Sequence, residues 1–364
     1  MDDDLRELER AVSAGGDASS RIRLARALER AGRKDEVASV LRPAVANAEV
    51  RRMLLGLPSW THMGGNAGNT RVLDVAPVRS EPRVEVLREG KQEFVVRLFV
   101  TEFTLVLEQT RPSLRVTVID AVQGQERFEV PVEFPVFLEE GRLVSSWEEA
   151  RDLWTGERVL RGDLPAVARF RGSVFASETW LLAVTHDELV AFDRQGAELW
   201  RAPSAEREVL MIDEHGFLAQ SSEDYEEGAV DCFDRQGEFL WQHKDEHAQA
   251  VALGPTWVLA WVALRRRERT LAVLDRATGE RRVTFSAPLV RIPASVSVAC
   301  ARDVVYFAVA DEASIVAVDL RGDELWRVSL DESRSTQPRT IAALAPGSGC
   351  LYAVERSGTL YRLS

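Results

Sequence analysis

Two of the chain's five histidines stand close together, in His243-Lys244-Asp245-Glu246-His247. A His-x-x-Glu-His pattern can hold a zinc ion between its two imidazoles, with the glutamate polarising a metal-bound water for hydrolysis. That chemistry needs His243 and His247 one turn apart on a single helical face. Here Phe239-Leu240-Trp241 precedes the pattern and Ala250-Val251-Ala252-Leu253 follows it, and both read as strands. The pattern is therefore expected in a short surface connection, where His243, Glu246 and His247 are metal candidates in the wrong local structure. No Ser/His/Asp or Cys/His set assembles from the remaining residues.

A second group could recognise a partner rather than react with one. The segment 221–228 carries Glu223, Asp224, Glu226 and Glu227, and the segment 265–269 carries Arg265, Arg266, Arg267 and Arg269. Strand counting sets both segments between the second and third strands of consecutive repeat units, so they should emerge side by side on one face. As two solvated hairpin tips they add little to stability. As a charge-patterned docking surface they would set partner choice and association rate.

The elements that must position these residues come from a repeat. Ala317-Val318-Asp319-Leu320-Arg321-Gly322-Asp323-Glu324-Leu325-Trp326 reads as strand, tight turn, strand. Asp before a turn accepts hydrogen bonds from backbone amides just ahead, and Gly supplies the positive φ that closes the hairpin. Copies stand at Asp193…Gly196…Trp200 and Asp234…Gly237…Trp241, with looser ones at Asp120…Gly124…Phe128, Asp152…Gly156…Leu160 and Asp275…Gly279…Val283. Asp152, Asp193, Asp234 and Asp275 recur at 41-residue steps, and Asp319 follows after 44. A period of about 40–45 residues with period-two apolar alternation is that of β-propeller blades.

The expected fold is thus mainly β, a seven-bladed β-propeller with a small α-helical N-terminal segment. Six blades is the main competitor, because the interval from Asp120 to Asp152 is compressed, and eight is a further alternative. The last unit ends at Ser364 without an outer strand, and residues 83–88 are a spare strand at the front. Their pairing would close the ring and remove the exposed edges of an open sheet.

The repeats resemble those of pyrroloquinoline-quinone-like (quinoprotein-type) propellers, through Ala191/Asp193/Gly196/Trp200 and Ala317/Asp319/Gly322/Trp326. Trp60, Gly64-Gly65-Asn66 and Thr70 before a Pro-preceded strand (Pro82 to Leu87) look like the entrance to such a ring. The resemblance spans roughly residues 60–364 and implies fold more than activity, since enzymes and scaffolds share the repeat. Enzymatic members of that superfamily hold quinone and calcium with an adjacent Cys-Cys pair, clustered acidic and amide ligands and a catalytic Asp. This chain has no vicinal cysteines, so no cofactor is expected, and Trp200, Trp241 and Trp326 are expected as packing anchors between blades.

Residues 1–56 have helical spacing: Leu5, Leu8, Val12; then Ile22, Leu24, Ala25, Leu28 up to Ala31-Gly32; then Val37, Val40, Leu41, Ala44, Val45. The stretch from Leu24 to Val37 resembles the middle of a tetratricopeptide-type repeat. One such unit is too few for a free-standing array, so a cap or docking arm is expected. Residues 57–80, rich in Gly, Asn and Pro, read as a linker. Gly64-Gly65 lacks the Gly-Lys-Ser/Thr ending of a phosphate loop.

A formal charge of −12 argues against nucleic acid or an anionic membrane as partner. Cys232, Cys300 and Cys350 fall in separate strands and suit a reducing compartment. The acidic start, Met1-Asp2-Asp3-Asp4, does not read as an export signal, and the longest apolar run, Trp257 to Leu264, is far short of a span. The chain is expected to be cytoplasmic. The expected function is a non-catalytic scaffold for a protein partner, as an accessory subunit of a bacterial complex. The alternative is a small-molecule binder or enzyme, quinoprotein-type or lyase-type, that uses the central channel.

Overall fold

The computed structural model describes residues 2–55, 72–90, 95–109, 114–131, 137–139, 142–144, 149–160, 173–177, 179–193, 195–204, 207–224, 227–246, 248–265, 268–285, 298–309, 314–330 and 341–364. Four helices come first: α1 (Asp2–Ser13), α2 (Ala18–Arg30), α3 (Lys34–Leu41) and α4 (Ala48–Leu55). Asp17 caps α2 by accepting from the Ser20 amide at 2.8 Å. Past the end of α2, Gly32 takes φ +77 while the Arg33 amide reaches back to the Leu28 carbonyl, so the helix stops where Gly permits a left-handed residue. Pro43 ends α3 in a short 3-10 turn, Arg42–Ala44. Asn47 then caps α4 through the amides of Glu49 and Val50.

The rest of the chain is a β-propeller. Its described residues form seven sheets. In chain order six of them cover 95–131, 137–160, 173–203, 207–246, 249–284 and 298–329, each an antiparallel meander of four strands. The seventh joins Ile341–Gly347, Cys350–Glu355 and Leu360–Leu363 with a strand from the front of the chain, Val84–Arg88. Val84 lies opposite Leu363 and Val86 opposite Tyr361, so the first and last parts of the propeller share one sheet.

Period-two alternation sends neighbouring residues into different cores. Trp180 and Leu182 pack between the third and fourth sheets, whereas Leu181 and Ala183 face the other way. Similar apolar layers join the fourth sheet to the fifth, the fifth to the sixth, and the first to the second. The largest layer spans the sixth, seventh and first sheets, where the ring closes.

The repeat turns show why the motif has its composition. Asp193 Oδ1 accepts from the amides of Gln195 and Ala197, and Asp234 Oδ1 from those of Gln236 and Glu238. One turn later a bulge lets the aromatic residue of the outer strand face the next sheet. Trp200 Nε1 donates to the Arg235 carbonyl at 2.7 Å, and Trp241 Nε1 to the Arg276 carbonyl at 2.6 Å. The turn glycines serve twice. Gly237 and Gly279 have φ +81 and +72, and a Cβ there would meet the Trp200 ring at 3.3 Å and the Trp241 ring at 2.5 Å.

One feature departs from the sequence reading, and a second lies outside it. The end of the expected linker is part of the propeller: Val72–Leu73 pairs in parallel with Cys300 and Ala301 and adds a fifth strand to the sixth sheet. Trp326 does not donate to the following sheet's turn. Its Nε1 donates to the carbonyl of Val78 at 2.8 Å. The seventh sheet has its own version of the turn, with Glu355 where the others have Asp, and the next carbonyl, that of Arg356, accepts from Val95 of the first sheet instead.

Candidate docking surface

In a four-stranded meander the first-to-second and third-to-fourth connections lie at one end and the second-to-third connection at the other. Each ring of sheets therefore has two rims. On one stand the Asp turns and the connections at 101–103, 302–303 and 348–349. On the other stand the hairpins of the fourth and fifth sheets named above.

Those hairpins are long. Gly216–Asp224 and Glu227–Asp234 span 9 and 8 residues, as do Trp257–Arg265 and Glu268–Asp275. The inner strands of the two sheets, Arg207–Asp213 and Gln249–Leu253, touch, so the hairpins rise from neighbouring sheets. Glu226, Arg266 and Arg267 lie outside the described residues, as do the side chains of Glu223, Asp224, Glu227, Arg265 and Arg269. Their backbones flank the two tips, with Asp224 opposite Glu227 and Arg265 opposite Glu268.

The His-x-x-Glu-His pattern is not in a surface connection. His243 to Glu246 belong to the outer strand Phe239–Glu246, which runs on because the long third strand offers partners: Val230 opposite His243, Glu227 opposite Glu246. His247 and the side chain of Glu246 lie outside the described residues. The zinc chemistry needs a helix that carries both imidazoles on one face, and His243 lies in a strand. His243 instead faces the fifth sheet, near Gly279 and Arg281. Burial and the Arg281 guanidinium hold its imidazole below the usual histidine range, partly offset by Asp245. Its Nε2 is buried without a hydrogen-bond partner. Among the described residues no group of three His, Cys, Asp or Glu could hold a metal ion.

The inner strands are largely apolar where described: Leu98 and Val100, Val209 and Met211, Val251 and Ala252. Cys232, Cys300 and Cys350 are free and buried on three different sheets. Burial pushes the Cys232 thiol up to about 12. No helix among the described residues is long and apolar enough to cross a membrane.

The rim that carries the Asp turns is where the helices sit. Phe103, from the first sheet, is buried in the helical core with Leu24, Leu28, Leu41 and Leu54. It meets Trp154 of the second sheet edge-to-face at 5.9 Å. The Trp154 ring is also approached by two guanidinium groups, Arg127 of the first sheet at 3.3 Å and Arg51 of α4 at 5.2 Å. Arg42 pairs with the buried carboxylate of Glu102, which also accepts from Ser348 of the seventh sheet at 2.7 Å. Burial works against the Arg42 charge, but the Glu102 carboxylate outweighs it and raises the Arg42 pKa. Arg302 of the sixth sheet reaches Asp35 of α3 and Asp74, each at 2.7 Å. Sequence periodicity marked the helices but not this seating, which depends on turn residues that no local pattern singles out.

Residues 226–364 match a family of known proteins. Its description is outer membrane protein assembly factor BamB. Among solved structures the chain is similar to BamB from Moraxella catarrhalis, at 14% identity and a TM-score of 0.43, covering 81% of this chain and 96% of that one. It is also similar to the structure of U3-55K, at 11% identity and a TM-score of 0.49, covering 78% of this chain and 99% of that one. No curated protein matches the chain.

Proposed function

We propose that the chain is a non-catalytic interaction scaffold, an accessory subunit of a larger bacterial assembly, which takes a protein partner on the rim opposite its helices. One observation carries this reading. The long hairpins of the fourth and fifth sheets rise from neighbouring sheets, on the rim away from the helix contacts, and their tips carry opposite charges in the sequence. A rigid ring holds such loops in fixed register, which favours specific recognition. The similarity of residues 226–364 to proteins described as an assembly factor supports the same class of role. The net charge of −12 points to a protein rather than to nucleic acid or an anionic membrane.

The compartment proposed is the cytoplasm, supported by three buried free cysteines spread over separate sheets. Cell fractionation with a cytosolic and an envelope marker checks it, and recovery with the envelope would overturn it. The scaffold itself is tested by affinity capture from native lysate with wild type and with Arg265, Arg266, Arg267 and Arg269 all changed to Ser. Recovery of a protein partner that falls with the variant is expected. Turnover of a quinone-linked substrate without any recovered partner would favour an enzyme.

A further inference from the structure

The ring closes at the sheet formed by Val84–Arg88 with Leu360–Leu363, but a second set of contacts spans the same seam. Residues 72–79 run from the inner edge of the sixth sheet to the junction with the seventh. The Leu73 carbonyl accepts from Arg302, and the Ala76 carbonyl accepts from Gly349 of the seventh sheet. Val78 is bonded at both main-chain groups: its amide donates to Tyr306 Oη at 2.8 Å, and its carbonyl accepts from Trp326. Leu73, Val75 and Val78 are buried in the apolar layer shared by the sixth, seventh and first sheets. The segment thus supplies the acceptor that the next sheet supplies for Trp200 and Trp241.

This wedge is tied to the helices by one residue. The Arg302 guanidinium holds Asp74 in the wedge and Asp35 in α3 while its amide bonds Leu73. Arg302 is also the one non-glycine residue with positive φ (50) among those described. A strained backbone at a residue whose side chain spans three elements marks a position kept for that side chain. On the other side of the seam, Arg42 and Ser348 meet on Glu102, joining the helices to the first and seventh sheets. Few residues separate Val78 from the closing strand, whose start is fixed by paired bonds between Arg83 and Ser364.

We propose that the helical segment and residues 72–79 form a latch, a second closure of the propeller that opens together with the Val84–Arg88 strand. Under this arrangement a partner that draws the helices off the rim releases the seam, and helix capture is coupled to ring opening.

Native-state hydrogen exchange on the full chain tests the latch, with Arg302→Gly, Trp326→Phe and the control Trp200→Phe. Gly relieves the positive φ, so a mere turn residue would leave the seam unchanged or slower to exchange. The latch predicts the reverse. Arg302→Gly and Trp326→Phe should each speed exchange about tenfold in α2, α3, Val84–Arg88 and Leu360–Leu363 together, as expected for loss of one buried indole bond or of two exposed ion pairs. Sheets four and five should not change. Trp200→Phe removes the same indole donor elsewhere and should act only near its own junction. Unchanged or slower exchange at Leu360–Leu363 in Arg302→Gly overturns the latch. So does faster exchange in the helices without the closing strand.

Discussion

The guanidinium carbon of Arg127 lies 3.3 Å from the centre of the Trp154 ring, and Phe103 packs edge-to-face with the same ring. A residue from an Asp turn of the second sheet is thereby the contact through which two sheets and the helical core meet. Cation–π and aromatic pairs each contribute on the order of 1 kcal/mol. Trp154→Ala should lower the stability of helix docking by about 2–3 kcal/mol. The change should appear in calorimetry as an early transition that precedes ring unfolding. Trp154→Phe should recover part of it.

Alanine at three glycines separates backbone strain from collision. Gly32, Gly237 and Gly279 all have positive φ, so each pays about 1 kcal/mol for a Cβ. Nothing lies near the Gly32 site, the Trp200 ring is at 3.3 Å from the Gly237 site, and the Trp241 ring is at 2.5 Å from the Gly279 site. Destabilisation, read from urea midpoints, should rise in the order Gly32→Ala, Gly237→Ala, Gly279→Ala. Equal losses at all three would show that the rings give way freely.

His243 predicts a loss of stability on mild acidification. Its folded pKa is depressed, so below the unfolded value of about 6.5 the unfolded chain takes up a proton that the folded chain resists. Stability is then full above about 6.5 and falls as pH drops from there toward the folded pKa. His243→Gln should flatten this part of a denaturation-midpoint profile between pH 7 and 5. Asp303 acts at lower pH: its bond from Arg79 depresses the carboxyl, so its contribution is present above about 4 and lost as pH falls through the folded value.

Thiol reactivity reports the three strands that carry cysteine. With the Cys232 thiol at about 12 and Cys350 also raised by burial, neither forms appreciable thiolate at pH 8. Native protein should resist alkylation at all three positions, and denatured protein should take three labels by mass. Rapid native labelling of Cys232 would mean that the layer between the fourth and fifth sheets is open.

The propeller was legible because its turn chemistry is local. An Asp that caps amides two to four residues ahead, a Gly with positive φ and a following aromatic residue leave a mark within eight positions. The seventh turn was missed because Glu355 replaces Asp. With one more methylene its carboxylate accepts from Ser357 and Tyr361, although Gly358 keeps the spacing. The role of residues 72–79 was hidden for the opposite reason. Their partners, among them Arg302, Tyr306, Trp326 and Gly349, lie more than two hundred positions away. The same distance concealed what Phe103 and Trp154 do. At the hairpins the sequence states charge and order along the chain, while partner identity depends on side chains that strand periodicity does not orient.

The pairing of Val84 with Leu363 has a consequence for biosynthesis. The nascent chain carries one strand of this sheet, Val84–Arg88, ahead of the six other sheets, yet the other three strands are made only after them. Sheets along the way can form as they emerge, but sealing must wait for Leu360–Leu363, and until then a strand edge stays uncovered. A circular permutant that makes this sheet contiguous should therefore refold faster and aggregate less.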